Sequence, residues 1–147
     1  MSDLARKTLS DLTVGAGARH RALVDSRTVA EYAAMVGDHN PVHENESYAA
    51  TTRFGVPVAH GLLVAGYAQT ALTELVAPGG VSVGYTVRLR APVPVGSWIV
   101  AQATCTGVDP ARGRAAFDIS VHIEEPGETV AITGEAIIAF PREKEAS

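Results

Sequence analysis

The chain has 147 residues, an ordinary apolar content and a formal net charge of −4, which is long enough to bury a core as one domain. It has no basic stripe, which argues against binding nucleic acid through phosphates; Arg88 and Arg90, two residues apart, come nearest to one. Its one cysteine, Cys105, leaves no internal disulfide and fits a reducing, cytoplasmic setting. The opening MSDLARKTLSDLTVG has no apolar signal core, and its first dozen or so residues read as a loose arm. Residues 18–24 predict a short strand. Ser26 supplies an N-cap signal, and residues 27–36 carry Val29, Tyr32, Ala33 and Val36 at helical spacing. Gly37 ends that helix, as a residue tolerant of positive φ does.

Asp38 therefore follows directly on a helix C-terminus. Pro41 disfavours helix at Asn40, so residues 38–43 are expected to form an irregular turn, with a helical turn or two over 44–51 and a loop over 52–57. From Gly61 to Leu75 no strong breaker occurs and apolar residues fall on nearly every face, which predicts a buried helix ended by Pro78-Gly79-Gly80. Gly66, Gln69, Thr70, Thr73 and Glu74 interrupt this stretch, so no membrane span is expected. The period then changes. Residues 81–91, 98–108, 113–124 and 129–140 alternate and are rich in β-branched side chains. Turn clusters at 92–96, 109–113 and 125–128 separate them, which predicts an antiparallel meander. The tail PREKEAS reads as a solvated end.

The order of elements is α+β, one central helix wrapped by a long antiparallel sheet. It is expected as a single domain over 1–147 with its core at about 13–140. One copy would leave an edge strand and part of the helix uncovered, so a homodimer paired edge to edge is expected.

Asp38 and His43 carry the clearest chemistry. Pro41 between them forces a bend that can turn both side chains into one cleft, and a carboxylate with an imidazole can hold a water and exchange protons near neutral pH. The competing explanation is that Asp38 caps a turn and His43 is a surface polar residue. Asn40 is expected to brace the turn through local hydrogen bonds. If the buried helix starts at Gly61, the free N–H there offers partial positive charge to an oxygen gaining enolate character; a glycine chosen for packing is the plainer alternative. His60 is read as a supporting residue that orients the loop. Asp38, His39, His43, Glu44 and His60 form a ligand-rich set, but Pro41 breaks the helix that would align His39 with His43 and no HExxH occurs, so no metal is expected. Gly80-Val81-Ser82-Val83-Gly84 matches GxSxG without the strand-turn-helix setting of a nucleophile elbow, and Cys105 in an apolar strand reads as core. Arg88 and Arg90 would share a strand face, either solvated or meeting phosphates of a carrier.

Taken together, these residues resemble the hydratase-2 motif of the MaoC-like (R)-specific enoyl-CoA hydratases. The motif reads G-D-x-N-P-[IVL]-H, then A-x-x-x-F-x-x-x-[IV]-[AV]-H-G-[ML]. Here it stands as Tyr32, Gly37-Asp38-His39-Asn40-Pro41-Val42-His43, Ala50, Phe54 and Val58-Ala59-His60-Gly61-Leu62. VRLRAPVPVGSWIVAQATCTGVD is similar to the family's sheet segment, and the likeness runs from about Thr13 to Phe140. It implies a hot-dog fold and reversible addition of water to trans-2-enoyl thioesters of CoA or acyl carrier protein, giving (R)-3-hydroxyacyl thioesters. It also implies no metal or redox cofactor, and a homodimer with the acyl tunnel near the subunit interface. The catalytic pair falls on Asp38 and His43, the oxyanion amide on Gly61 and the motif asparagine on Asn40. Leu89, Ser97 and Leu62 stand where the family commonly has Phe, Asp and Met. The alternatives are a hot-dog thioesterase, for which Glu74 is the one carboxylate on the long helix, and a non-catalytic acyl-thioester-binding subunit.

Overall fold

The structure, a computed structural model, describes residues 4–125 and 128–142. Within the expected turn at 125–128, Pro126 and Gly127 lie outside the described residues, as does the end of the tail, 143–147. The elements are β1 (Gly17–Val24), α1 (Ser26–Val36), α2 (Pro41–Glu44), α3 (Glu46–Ala49), α4 (Gly61–Val76), β2 (Val81–Leu89), β3 (Ser97–Asp109), β4 (Arg114–Glu125) and β5 (Thr129–Ala139).

Two local expectations need correcting. Asp25, not Ser26, caps α1: its carboxylate accepts the Thr28 N–H at 2.9 Å and the Thr28 hydroxyl at 2.8 Å. These bonds hold the Asp25 carboxyl below its usual range, because they favour the ionised form. Asp25 is still extended, whereas Ser26 is already helical, so the helix begins one residue earlier than the sequence suggests. The N-terminal arm is not loose either. Leu9–Asp11 make a 3-10 turn closed by the Thr8 N–H on the Asp11 carboxylate at 2.7 Å. The Lys7 N–H also donates to the Pro78 carbonyl at 2.6 Å, tying the arm to the end of α4.

The five strands form one antiparallel sheet in the order β1-β3-β4-β5-β2. Only β3, β4 and β5 follow one another as a meander; β2 pairs with β5 at the far edge and is not the neighbour of β3. The difference lies in the segment 90–96, most of which the sequence reads as a tight turn but which crosses from one side of the sheet to the other. On the way it is stitched to the loop ahead of α4. The Ala59 N–H donates to the Val93 carbonyl at 2.8 Å, and the Val95 N–H to the Pro57 carbonyl at 3.0 Å. Turn-forming residues suit a hairpin and a crossing alike, so composition does not separate the two.

α4 lies on one face of the sheet against β1, β3 and β4. Val64, Ala68, Ala71, Leu72 and Val76 face inward at helical spacing and meet Ile99, Ala101, Ala103, Phe117, Val121 and Ile138 of the sheet. The helix is not buried all round in one copy. Leu62 is 70% exposed, and Gly66, Thr70 and Thr73 are exposed on the same side, because the sheet covers only one face.

Candidate active site

Gly37 sets the site up. It closes α1 in the left-handed region at φ 80°, where a side chain is strained, and turns the chain so that Asp38 leaves the helix sideways. Asp38 Oδ1 accepts the Asn40 N–H at 3.2 Å. Asn40 Oδ1 in turn accepts the Val42 N–H at 3.2 Å and caps α2, with Pro41 in the first helical position. The expected irregular turn is thus half helical: Pro41 excludes helix before itself and favours it after, so His43 sits on a short helix.

His43 Nδ1 lies 2.6 Å from the Val58 carbonyl. A carbonyl can only accept, so Nδ1 carries a proton, and in the neutral ring Nε2 is then the nitrogen with the lone pair. His60 is 3% exposed, and its Nε2 donates to the Asp38 backbone carbonyl at 3.0 Å. Its ring stacks on His43 with centroids 3.7 Å apart, and the Tyr32 ring meets it edge-on at 4.8 Å. The sequence therefore separates residues that the fold clamps together: His60 holds the backbone of one member of the pair and the ring face of the other.

The Asp38 carboxylate, a His43 ring nitrogen and a His60 ring nitrogen all lie within 4.8 Å of one another. That separation matches one water bridging two groups by hydrogen bonds of ordinary length, about 2.8 Å each. It is less suited to a metal ion. The two imidazoles are stacked 29° from parallel, so their in-plane lone pairs run side by side rather than converging at the ~2 Å ligand distance a metal needs. His39 and Glu44, the other members of the ligand-rich set, meet each other at 3.5 Å on the surface.

Gly61 opens α4, and the first bond of that helix is the Val64 N–H to the His60 carbonyl. The Gly61 N–H precedes it and so has no partner within the helix. A Cβ on Gly61 would lie 2.6 Å from Leu89 Cδ1, so packing and a free amide both favour glycine here. A cavity of about 290 Å³ reaches Gly61, walled by Phe54, Val64, Leu89, Val93 and Ile132 and bordered by Arg53 and Arg90. Asp38 and His43 are not part of its lining; both meet His60, the residue just before Gly61. Asp38 is exposed in one copy of the chain.

Other sequence signals fall away. Ser82 lies on β2 and donates to Gln69 Oε1 at 2.7 Å, with no nucleophile elbow around it. Cys105 is buried, and burial pushes its thiol up, which keeps it protonated. Glu74 lies thirteen residues beyond Gly61 on α4, about 20 Å along the axis. Sequence reasoning missed the Val58 carbonyl that fixes His43. A backbone group fifteen positions away in sequence leaves no mark on composition or spacing.

Replacing His60 by Phe should keep the ring stack and lose the bond to the Asp38 carbonyl. The expected result is a fall in turnover of about tenfold with a stability loss of about 1 kcal/mol, read from kcat and a thermal melt.

A family model described as MaoC like domain matches residues 11–125. A 3-hydroxybutyryl-CoA dehydratase of Methylorubrum extorquens is 35% identical over 137 residues, covering 92% of this chain and 85% of the relative. An (R)-specific enoyl-CoA hydratase of Rhodospirillum rubrum is 32% identical over 140 residues, 95% of each chain. Among solved structures, an (R)-hydratase from A. caviae superposes with a TM-score of 0.84 at 31% identity, covering 88% of this chain and 98% of that one. The five-stranded sheet packed on a long helix is the hot-dog architecture of these neighbours.

Proposed function

This chain belongs to the MaoC-like domain family, and on that premise we propose that it is an (R)-specific enoyl-thioester hydratase and dehydratase. Asp38 and His43 are its catalytic pair, and the Gly61 amide is its oxyanion donor. The observation that carries the reading is the His43 tautomer. With Nδ1–H engaged by Val58, Nε2 is the nitrogen left to act as the base in the neutral ring, and a His43 ring nitrogen lies within 4.8 Å of the Asp38 carboxylate, within reach of one bridging water. In the hydration direction the pair takes a proton from that water as its oxygen bonds to Cβ. The electron pair of the double bond moves to the thioester oxygen, held by the Gly61 N–H, and a proton from the pair then reaches Cα. Both groups come from one turn, so oxygen and proton add to one face. Dehydration runs the same steps backwards.

A thioesterase would attack the carbonyl carbon and use a carboxylate on the long helix; Glu74 stands too far from Gly61 for that. The test is a series of enoyl-CoA lengths, following enoyl absorbance and free thiol separately. Loss of absorbance without thiol release is expected, whereas thiol release alone would sink the reading.

A homodimer fits the surface. β2 is an edge strand with Val81, Val83, Tyr85 and Leu89 exposed, next to the exposed stripe of α4 headed by Leu62. Pairing two copies through β2 would bury these side chains. Light scattering on the purified chain should give twice the mass of 15.3 kDa, and a stable monomer would contradict the assembly. A cytoplasmic role in acyl-thioester metabolism fits the free, buried Cys105. Among the described residues no helix is long and apolar enough to cross a membrane.

A further inference from the structure

His60 carries a polar atom that the fold leaves unused. Its Nε2 donates to the Asp38 carbonyl at 3.0 Å, which places the ring proton on Nε2, because a carbonyl can only accept. Its other nitrogen, Nδ1, is buried and has no hydrogen-bond partner. Among the described residues no other buried side-chain nitrogen or oxygen is left in that state. A buried acceptor without a donor is costly, and holding the Asp38 backbone does not call for one. A second proton, on Nδ1, would cost more. It would bury an N–H with nothing to accept it. Once His43 is protonated, it would also set two cations face to face at 3.7 Å. His60 is therefore held as a neutral ring whatever the state of His43.

That neutral ring lies nearly flat on the base, 29° from parallel. The Tyr32 ring packs on it at 4.8 Å and the Nε2 bond ties it down, so its face stays on His43. His43 becomes a cation each time it takes a proton from water, and a cation over an aromatic face within about 6 Å is attracted by the π electrons. A bare Nδ1 keeps that face neutral, whereas an imidazolium there would repel. Few other titratable groups face the pair. The Asp38 carboxylate lies within 4.8 Å of a nitrogen on each ring but is exposed. Tyr32 of α1 meets His60, and Glu44, beside His43 on α2, meets His39 on the surface. We propose that His60 acts through His43 as a positioning residue whose obligately neutral ring supports the imidazolium formed during turnover. This rests on the reading of His43 as the base of hydration. His60 itself gains and loses no proton; the one taken from water stays on His43 Nε2 until the pair returns a proton to Cα.

Two variants separate the ring face from the bond to the Asp38 carbonyl. His60→Phe keeps the face and loses the donor; His60→Gln keeps an N–H that can reach the carbonyl and loses the face. The pH profile of kcat/KM for crotonyl-CoA tells them apart. His43 must be unprotonated to take a proton from water, so activity falls as pH drops, and a cation with less support forms only at lower pH. The acid limb is expected to move down by about half a pH unit in His60→Gln, a roughly threefold weaker hold on the proton. In His60→Phe it should move by less than about 0.2 of a pH unit, whatever the loss of kcat. Equal movement in the two variants, or none in His60→Gln, would overturn the proposal. The native chain is tested without turnover by the ring resonances of its five histidines, with His43 and His60 assigned by their loss in His43→Gln and His60→Phe. His60 should keep a single N–H, on Nε2, from about pH 8 down to about pH 5, and a proton arriving on Nδ1 in that range would overturn the proposal. If the native chain hydrates no crotonyl-CoA, the hydratase reading fails, and the His43 resonances in the two variants still decide whether the ring face supports its cation.

Discussion

Replacing Asp38 by Asn, or His43 by Gln, is expected to lower turnover of crotonyl-CoA by about a thousandfold each while leaving the fold intact. Asn at position 38 keeps the oxygen that accepts the Asn40 N–H, so the turn survives, but its amide cannot take a proton. Gln at position 43 has an N–H that can reach the Val58 carbonyl in place of Nδ1–H, yet offers no basic nitrogen where Nε2 stood. Neither side chain belongs to the core, so stability should move by no more than about 0.5 kcal/mol. Loss of enoyl absorbance gives the rate, and a thermal melt gives the control. Because the two groups share one water, the double variant should be little worse than either single one. A rate near that of the native chain in either single variant would defeat the mechanism.

Gly61→Pro should cost about a hundredfold in kcat, and it isolates the amide from everything else at that position. Proline removes the N–H, is tolerated at the first residue of a helix, and wants an extended residue before it. His60 already has φ −59° and ψ 131°. Any side chain here must also push Leu89 aside, so Gly61→Ala is the matched control. It brings the same Cβ to Leu89 and keeps the N–H. Leu89 is 62% exposed and flexible, so both variants should fold. Proline falling well below alanine in kcat assigns the loss to the missing donor; equal losses would mean that glycine serves packing against Leu89 and not the oxyanion.

The site was legible in the sequence to the extent that its signals are local. Gly37, Asp38, Asn40, Pro41 and His43 lie within seven positions, and each announces its own backbone habit, so their convergence is readable before the fold is known. His60 was readable as a supporting residue, but its grip on the Asp38 carbonyl was not. That contact joins residues twenty-two apart and needs the loop before α4 to be strapped down by the crossing segment 90–96. The same segment explains why the sheet order escaped the sequence. Alternation marks residues 81–91 as a strand but says nothing of which neighbour it pairs with. The reading of α4 as buried on every side failed for a related reason, since periodicity reports what a helix can bury and not how many surfaces one copy of the chain supplies.

The most direct test is the stereochemistry of hydration in D₂O. Crotonyl-CoA should give (R)-3-hydroxybutyryl-CoA with deuterium at Cα on the face that receives the hydroxyl, because Asp38 and His43 act from one turn. Formation of the (S) product, or arrival of deuterium and hydroxyl on opposite faces, would contradict water addition by this pair.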